Sequence, residues 1–216
     1  MLTPYCTVRN TIENEIVIQK SRFLTLCQPV ASEKDIQALL AARRKRYWDA
    51  SHHCYAYALG SDASIARYSD DGEPGGTAGL PMMEVLKAKQ LADIVVIVTR
   101  YFGGTLLGAG GLVRAYSRST SEAVGLAGIV TMLPSDALRV TMDYSMWSRL
   151  QSPLEKAGVL LEEPEYMQDV SLRIWVRQSE REEVIQSIIR WSDGRVEPRY
   201  DSTQYMAWDA PDDKNA

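Results

Sequence analysis

The sequence is poor in the residues that bind metals and form disulfides. Its 216 residues include three cysteines, Cys6, Cys27 and Cys54, and two histidines, His52 and His53. An odd, widely spaced set of cysteines offers neither a disulfide framework nor a CxxC zinc pair, which predicts reduced thiols and a cytoplasmic location. Apolar runs stay well short of the roughly 20 residues that span a bilayer. The first ten residues, M-L-T-P-Y-C-T-V-R-N, lack the apolar stretch of a secretory signal. No membrane partner is therefore expected. Phosphate-binding signatures are missing too: no Gly-Lys-Ser/Thr closes a Walker loop, and no regular G-x-G-x-x-G occurs.

A large excess of basic charge is also absent. The net charge is −4, which argues against indiscriminate nucleic-acid binding. The charge is uneven, however. Residues 1–134 carry 14 Lys and Arg against 12 Asp and Glu, and residues 135–216 carry 10 against 16. A slightly basic first half and an acidic second half suit two domains with different surfaces.

The most informative stretch runs from Asp93 to Tyr116, D-I-V-V-I-V-T-R-Y-F-G-G-T-L-L-G-A-G-G-L-V-R-A-Y. Ile94 to Thr99 is apolar and β-branched and reads as a strand buried on both faces. Arg100 and Tyr101 follow at its carboxyl end. Five glycines then fall within nine residues: Gly103, Gly104, Gly108, Gly110 and Gly111. Lacking Cβ, they permit positive φ and close approach of backbone or ligand. From Leu112 the period becomes helical, with Leu112, Val113, Tyr116, Ala123, Val124 and Ala127 on one side. N–H groups at that helix start, with Arg100 and Arg114 near, make a candidate anion site. The alternative is a tight connection that packs helix against strand.

Upstream, residues 12–19 and 22–29 read as strands. Ser32 with Asp35 resembles a capping box, and the helix it opens ends in Arg43, Arg44, Lys45 and Arg46, where cations offset the macrodipole. H-H-C-Y-A-Y-A-L alternates, placing His53, Tyr55, Tyr57 and Leu59 on one face and His52, Cys54, Ala56 and Ala58 on the other. His53 is a candidate binding residue. The loop S-D-D-G-E-P-G-G-T-A-G-L-P, residues 69–81, groups Asp70, Asp71 and Glu73. Such carboxylates cap turns and helix starts, hold Mg²⁺, or do acid–base work. Pro81 suits the first turn of a helix running to about Gln90. No nucleophile is locally paired with a base, so no catalytic residue, resident metal or cofactor is assigned.

A boundary is expected near Leu133-Pro134-Ser135, dividing a first domain, 1–134, from a second, 135–208, before a disordered tail, 209–216. The second domain reads strand (137–144), helix (146–157), strand (159–167), strand (170–177), helix (179–191, capped by Ser179) and strand (195–208). This βαββαβ order is that of the ferredoxin-like fold.

K-S-R-F at 20–23, H-H-C-Y-A at 52–56, the 69–81 loop and V-T-R-Y-F-G-G-T-L-L-G-A-G-G-L-V-R-A-Y at 98–116 together resemble the YigZ/IMPACT family over about residues 12–130. The second half is similar to the smaller carboxy-terminal domain of the bacterial members. The resemblance implies an α+β fold of two domains. The first would be like ribosomal protein S5 domain 2 and elongation factor G domain IV, the second ferredoxin-like, as in elongation factor G domain V. Eukaryotic IMPACT proteins restrain the kinase pathway that shuts down translation initiation. They compete for a ribosome-associated activator, using an additional amino-terminal domain not expected in these residues. The leading expectation is a non-catalytic protein that binds the ribosome or structured RNA through Arg100, Tyr101, Arg114, the glycines and the 70–73 loop, with regulation of translation as its implied role. A protein partner at the same surface is a further possibility. The alternative is a Mg²⁺-dependent hydrolase or phosphoryl-transfer enzyme using Asp70, Asp71 and Glu73 with the glycine loop.

Overall fold

A computed structural model describes residues 3–209. It divides into two compact units, one of residues 3–132 with 207–209, the other of residues 133–206. Of the expected tail, Asp209 closes a strand; 210–216 lie outside the described residues.

The first unit is built on a five-stranded sheet. Its strands are β2 (Ile12–Ile18), β3 (Ser21–Pro29), β4 (His52–Leu59), β5 (Ile65–Ser69) and β6 (Ile94–Tyr101), in the order β2-β3-β6-β4-β5. Every pairing is antiparallel. The apolar run is therefore a central antiparallel strand, and it is covered on both faces because helices lie on both. Val96 and Val98 pack into one core with Met82 and Leu86 of α2 (Gly79–Ala88) and Leu112 and Tyr116 of α3 (Gly108–Ala127). Val95 and Ile97 pack into another with Ile36 and Leu40 of α1 (Glu33–Arg46). Burying each such side chain contributes roughly 1.5–3 kcal/mol. That makes β6 a rigid base for the glycine-rich loop at its carboxyl end.

Local chemistry sets the element ends. Ser32 caps α1, its hydroxyl accepting from Asp35 N–H. Pro81 sits inside the first turn of α2, which begins at Gly79 and ends at Ala88. The helix α3 begins at Gly108, four residues before its apolar period becomes visible, so Gly108, Gly110 and Gly111 belong to its first turn. A short strand β1 (Tyr5–Val8), not anticipated from the sequence, pairs with residues 129–132 of β7 (Ile129–Met142). The strand β5 was equally unmarked: five exposed or half-buried residues carry little pattern.

The strand β7 runs unbroken through Pro134 and supplies the second unit with residues 135–142. There follow α4 (Tyr144–Lys156), β8 (Leu160–Leu161), β9 (Glu165–Tyr166), β10 (Val170–Arg177), a 3-10 turn, α5 (Arg181–Trp191) and β11 (Arg199–Asp209). In its sheet β7 pairs with β10 and β11, and β10 also with β8 and β9; Leu138, Val140, Leu172 and Ile174 pack with Leu150, Leu154 and Ile188 of the helices. Three expectations change. The strand read over 159–167 is two short pieces, separated by Glu162-Glu163-Pro164. Ser179 does not cap α5, because the 3-10 turn Gln178–Glu180 precedes it. The start of α4 was also missed by two residues: Asp143 caps it, accepting from Met146 N–H.

Among the described residues, no helix is long and apolar enough to cross a membrane.

Candidate functional site

In an antiparallel sheet, alternation decides which side chains share a face. Arg100 stands opposite Phe23 of β3 and His52 of β4, on the side covered by α2 and α3. Tyr101, the next residue, belongs to the other side, where its hydroxyl donates to Asp49. Burial, reinforced by that carboxylate, raises the Tyr101 pKa.

Arg100 is almost wholly buried, and its Nη1 donates to Glu73 Oε1 at 2.7 Å. Nη2 lies 3.3 Å from Ser21 Oγ, while Nε is buried without a partner. Tyr116 of α3 donates its hydroxyl to the same Glu73 oxygen at 2.7 Å. Burial, with Cys54 and Glu73 alongside, keeps that phenol protonated far above its ordinary range. The Cys54 thiol, 3.0 Å from the Asp70 carbonyl oxygen and 3.3 Å from the Tyr116 hydroxyl, is pushed up to about 12 by burial. The guanidinium at the head of β6 is thus neutralised by the protein's own carboxylate. It lines a site but does not offer a free charge to solvent.

The acidic loop is folded by its own carboxylates. Asp70 accepts from the N–H groups of Gly76, Ala78 and Gly79 and so fixes the entry to α2. Asp71 accepts from His53 N–H and Arg44. Glu73 turns inward to Arg100. Each carboxylate is committed to a different partner, and among the described residues no three His, Cys, Asp or Glu side chains are grouped to hold a metal ion. The Mg²⁺-holding trio considered from the sequence therefore lacks converging oxygens.

His53, a candidate from the sequence, faces away from this cluster, with Nδ1 3.1 Å from Thr99 Oγ1. Burial lowers its pKa. Its neighbour His52 takes the place by Glu73, with Nδ1 2.8 Å from the Asp71 carbonyl oxygen and Nε2 3.8 Å from Glu73 Oε2. The alternation of 52–59 already placed His52 with the small residues Cys54, Ala56 and Ala58. Small residues are what a closely packed helix needs beneath it, and that was the missed signal.

Four of the five glycines divide by task. At Gly103 a Cβ would lie 2.1 Å from the Lys20 carbonyl carbon, so the fold itself requires glycine. Gly104 and Gly108 have φ of +80° and +68°, which L side chains rarely adopt. Gly110 differs. Its φ is helical, and a Cβ there would meet only Arg114 Nη1, at 3.8 Å. Neither packing nor backbone strain calls for glycine at this exposed helical position, where alanine is the better helix former. The first turn of α3 has no side-chain cap, and Arg114 is exposed with no ion-pair partner among the described residues.

The start of α3, through Gly108 and Ala109, borders a cleft of about 380 Å³ whose lining also includes His52, Glu73, Arg100, Phe102 and Leu106. Phe102 is 49% exposed and Leu106 85%, a large apolar display for a short loop. Arg100, Glu73 and Gly108 of the sequence candidates line the cleft; Tyr101, Gly103, Gly104, Gly110, Gly111, Arg114, His53, Asp70 and Asp71 do not. Tyr116, Ser21 and Phe102 join the site without having been singled out.

Comparison with known proteins bears on the same residues. Residues 19–124 match the family described as Impact N-terminal domain, and residues 140–195 match DUF1949, a domain of unknown function. The chain is 37% identical to the IMPACT family member YvyE of Bacillus subtilis, over 95% of both chains. It is 33% identical to YigZ of Escherichia coli, over 73% of this chain and 78% of that one. Protein IMPACT of Bos taurus is 31% identical over 43% of this chain and 30% of its own length. A solved structure titled a hypothetical protein superposes with a TM-score of 0.59 at 27% identity, covering 94% of this chain and 99% of that one. With its first unit carrying the glycine turn and the Arg100–Glu73 pair within the matched region, the chain belongs to the IMPACT family.

Proposed function

We propose that the protein is a non-catalytic binding module for the translation apparatus, engaging phosphate-bearing RNA at the start of α3, where Gly108 and Ala109 border the cleft of its first unit. The observation that carries this reading is the uncapped Gly-Ala-Gly-Gly start of α3 beside the exposed Arg114. A helix amino terminus presents free N–H groups and the positive end of the macrodipole. Gly110 leaves that turn bare without any internal need for it. Phe102 and Leu106 supply the apolar rim on which an unstacked base can rest. The family membership is consistent with a regulatory role in translation. The strand order of the second unit, fourth-first-third-second along its βαββαβ chain, supports the ferredoxin-like reading, and a five-stranded sheet with helices on both faces is compatible with an S5 domain 2-like first unit.

Co-sedimentation of the full chain with ribosomes over a salt series tests the reading. Arg114→Ala should weaken the association and reduce the slope of log affinity against log salt by about one. An unchanged slope and affinity in that variant would remove Arg114 from the interface and the reading with it. Association that survives ribonuclease treatment would point instead to a protein partner.

A further inference from the structure

The floor of the cleft carries hydrogen-bond acceptors as well as donors, and the combination narrows what can sit there. The Asp71 carbonyl can only accept, so His52 Nδ1, 2.8 Å away, carries the hydrogen. In the neutral ring that leaves Nε2 as an acceptor. Glu73 Oε1 is taken by Arg100 and Tyr116. Its Oε2 lies 3.8 Å from His52 Nε2, beyond hydrogen-bond length. Two acceptors thus stand side by side, one of them on a carboxylate whose side chain is only 3% exposed.

A phosphate would be repelled at that spot. Hydroxyl donors fit it, as a buried carboxylate oxygen fits a ribose hydroxyl. The phosphate belongs on the bare first turn of α3, whose Gly108 and Ala109 line the same cleft. Phe102 and Leu106, in the same lining, offer an apolar face for a ring. Hydroxyl, phosphate and base therefore each meet a complementary group within about 380 Å³, enough for one small ligand and far too little for a duplex.

We infer that the cleft takes a single unpaired ribonucleotide, with its ribose 2′-hydroxyl donating to Glu73 Oε2, its phosphate on the start of α3 and its base against Phe102. The inference rests on the phosphate reading above and adds to it a preference for RNA over DNA and for single strands over duplex. The 2′-hydroxyl is the group that separates the two sugars.

Fluorescence anisotropy with the full chain tests it, using a labelled single-stranded oligoribonucleotide, the same sequence in deoxy form, and an RNA duplex. The single-stranded RNA should bind about ten-fold more tightly than the DNA, the size expected for one hydrogen bond to a charged group. It should also bind more tightly than the duplex. Glu73→Gln keeps the volume and an oxygen for Tyr116 but replaces an acceptor by a donor, and should narrow the RNA preference. Because that variant changes a buried ion pair, Phe102→Ala, at an exposed position, serves as the second probe and should weaken single-stranded RNA binding. Equal affinity for the RNA and DNA strands would overturn the ribose assignment while leaving the phosphate reading intact, and a duplex bound as tightly as the single strand would overturn the unpaired-nucleotide assignment. Failure of all three to bind would overturn both readings.

Discussion

Glu73 and Arg100, 27 residues apart in the chain, form an ion pair of 2.7 Å with side chains only 3% and 6% exposed. Neither could be buried alone, since an isolated charge in a protein interior is strongly disfavoured. Together they tie the 70–79 loop to the end of β6, with Tyr116 tying both to α3. The cleft is held in shape by this contact, and its charge is set by it.

Removing one member should therefore be far worse than removing both. Glu73→Ala strands the Arg100 guanidinium and is expected to cost about 3–5 kcal/mol in chemical denaturation. Adding Arg100→Met to it should recover much of that loss, because the uncompensated charge is gone. A double variant no more stable than Glu73→Ala would mean that the pair matters through packing alone.

Two glycines of the same 103–111 stretch should respond in opposite ways. Gly103→Ala drives a Cβ to 2.1 Å from the Lys20 carbonyl carbon, against main chain that cannot swing aside. It should destabilise by about 2 kcal/mol or more. Gly110→Ala meets only a flexible guanidinium at 3.8 Å and should leave stability unchanged or raise it by up to about 1 kcal/mol. RNA association should nonetheless weaken, because the methyl covers the bare turn. Thermal melts beside binding curves separate the two effects.

The pH dependence of stability should carry a contribution from His53. Burial is the main cause of its lowered pKa, with Asp71 pulling the other way and Arg44 adding to the depression. Above the unfolded value of about 6.5 the ring is neutral in both states. As the pH falls below it, the unfolded chain takes up the proton first, so stability declines until the folded value is reached. His53→Gln removes the titrating ring. Melting temperatures between about pH 7 and pH 5 should fall less steeply in that variant, and parallel curves would exclude His53 as a source of the decline.

Much of the first unit could be read from residue pattern. Alternation in 52–59 gave the two faces of β4, and the apolar run 94–99 marked a central strand, because both follow from periods that a single sequence displays. The capping of α1 by Ser32 was legible for the same local reason. The Arg100–Glu73 pair was not, since nothing in either segment says that a loop residue will turn inward to meet a strand end. Reading Arg100 as a free cation followed from its place beside glycines, whereas its charge state depends on a contact formed only by folding. The start of α3 was hidden by its glycines, which suppress the helical signal at the very turn where the bare N–H groups lie. The short strands β1 and β5 carry too few residues, too little buried, to show a period.

The most direct measurement is an NMR titration of the backbone amides of Gly108, Ala109, Gly110 and Gly111 with a short single-stranded oligoribonucleotide. The account predicts that these four resonances shift together and saturate at one affinity, with Arg114→Ala weakening that affinity. Shifts confined to other parts of the chain, with these amides unmoved at saturation, would contradict it.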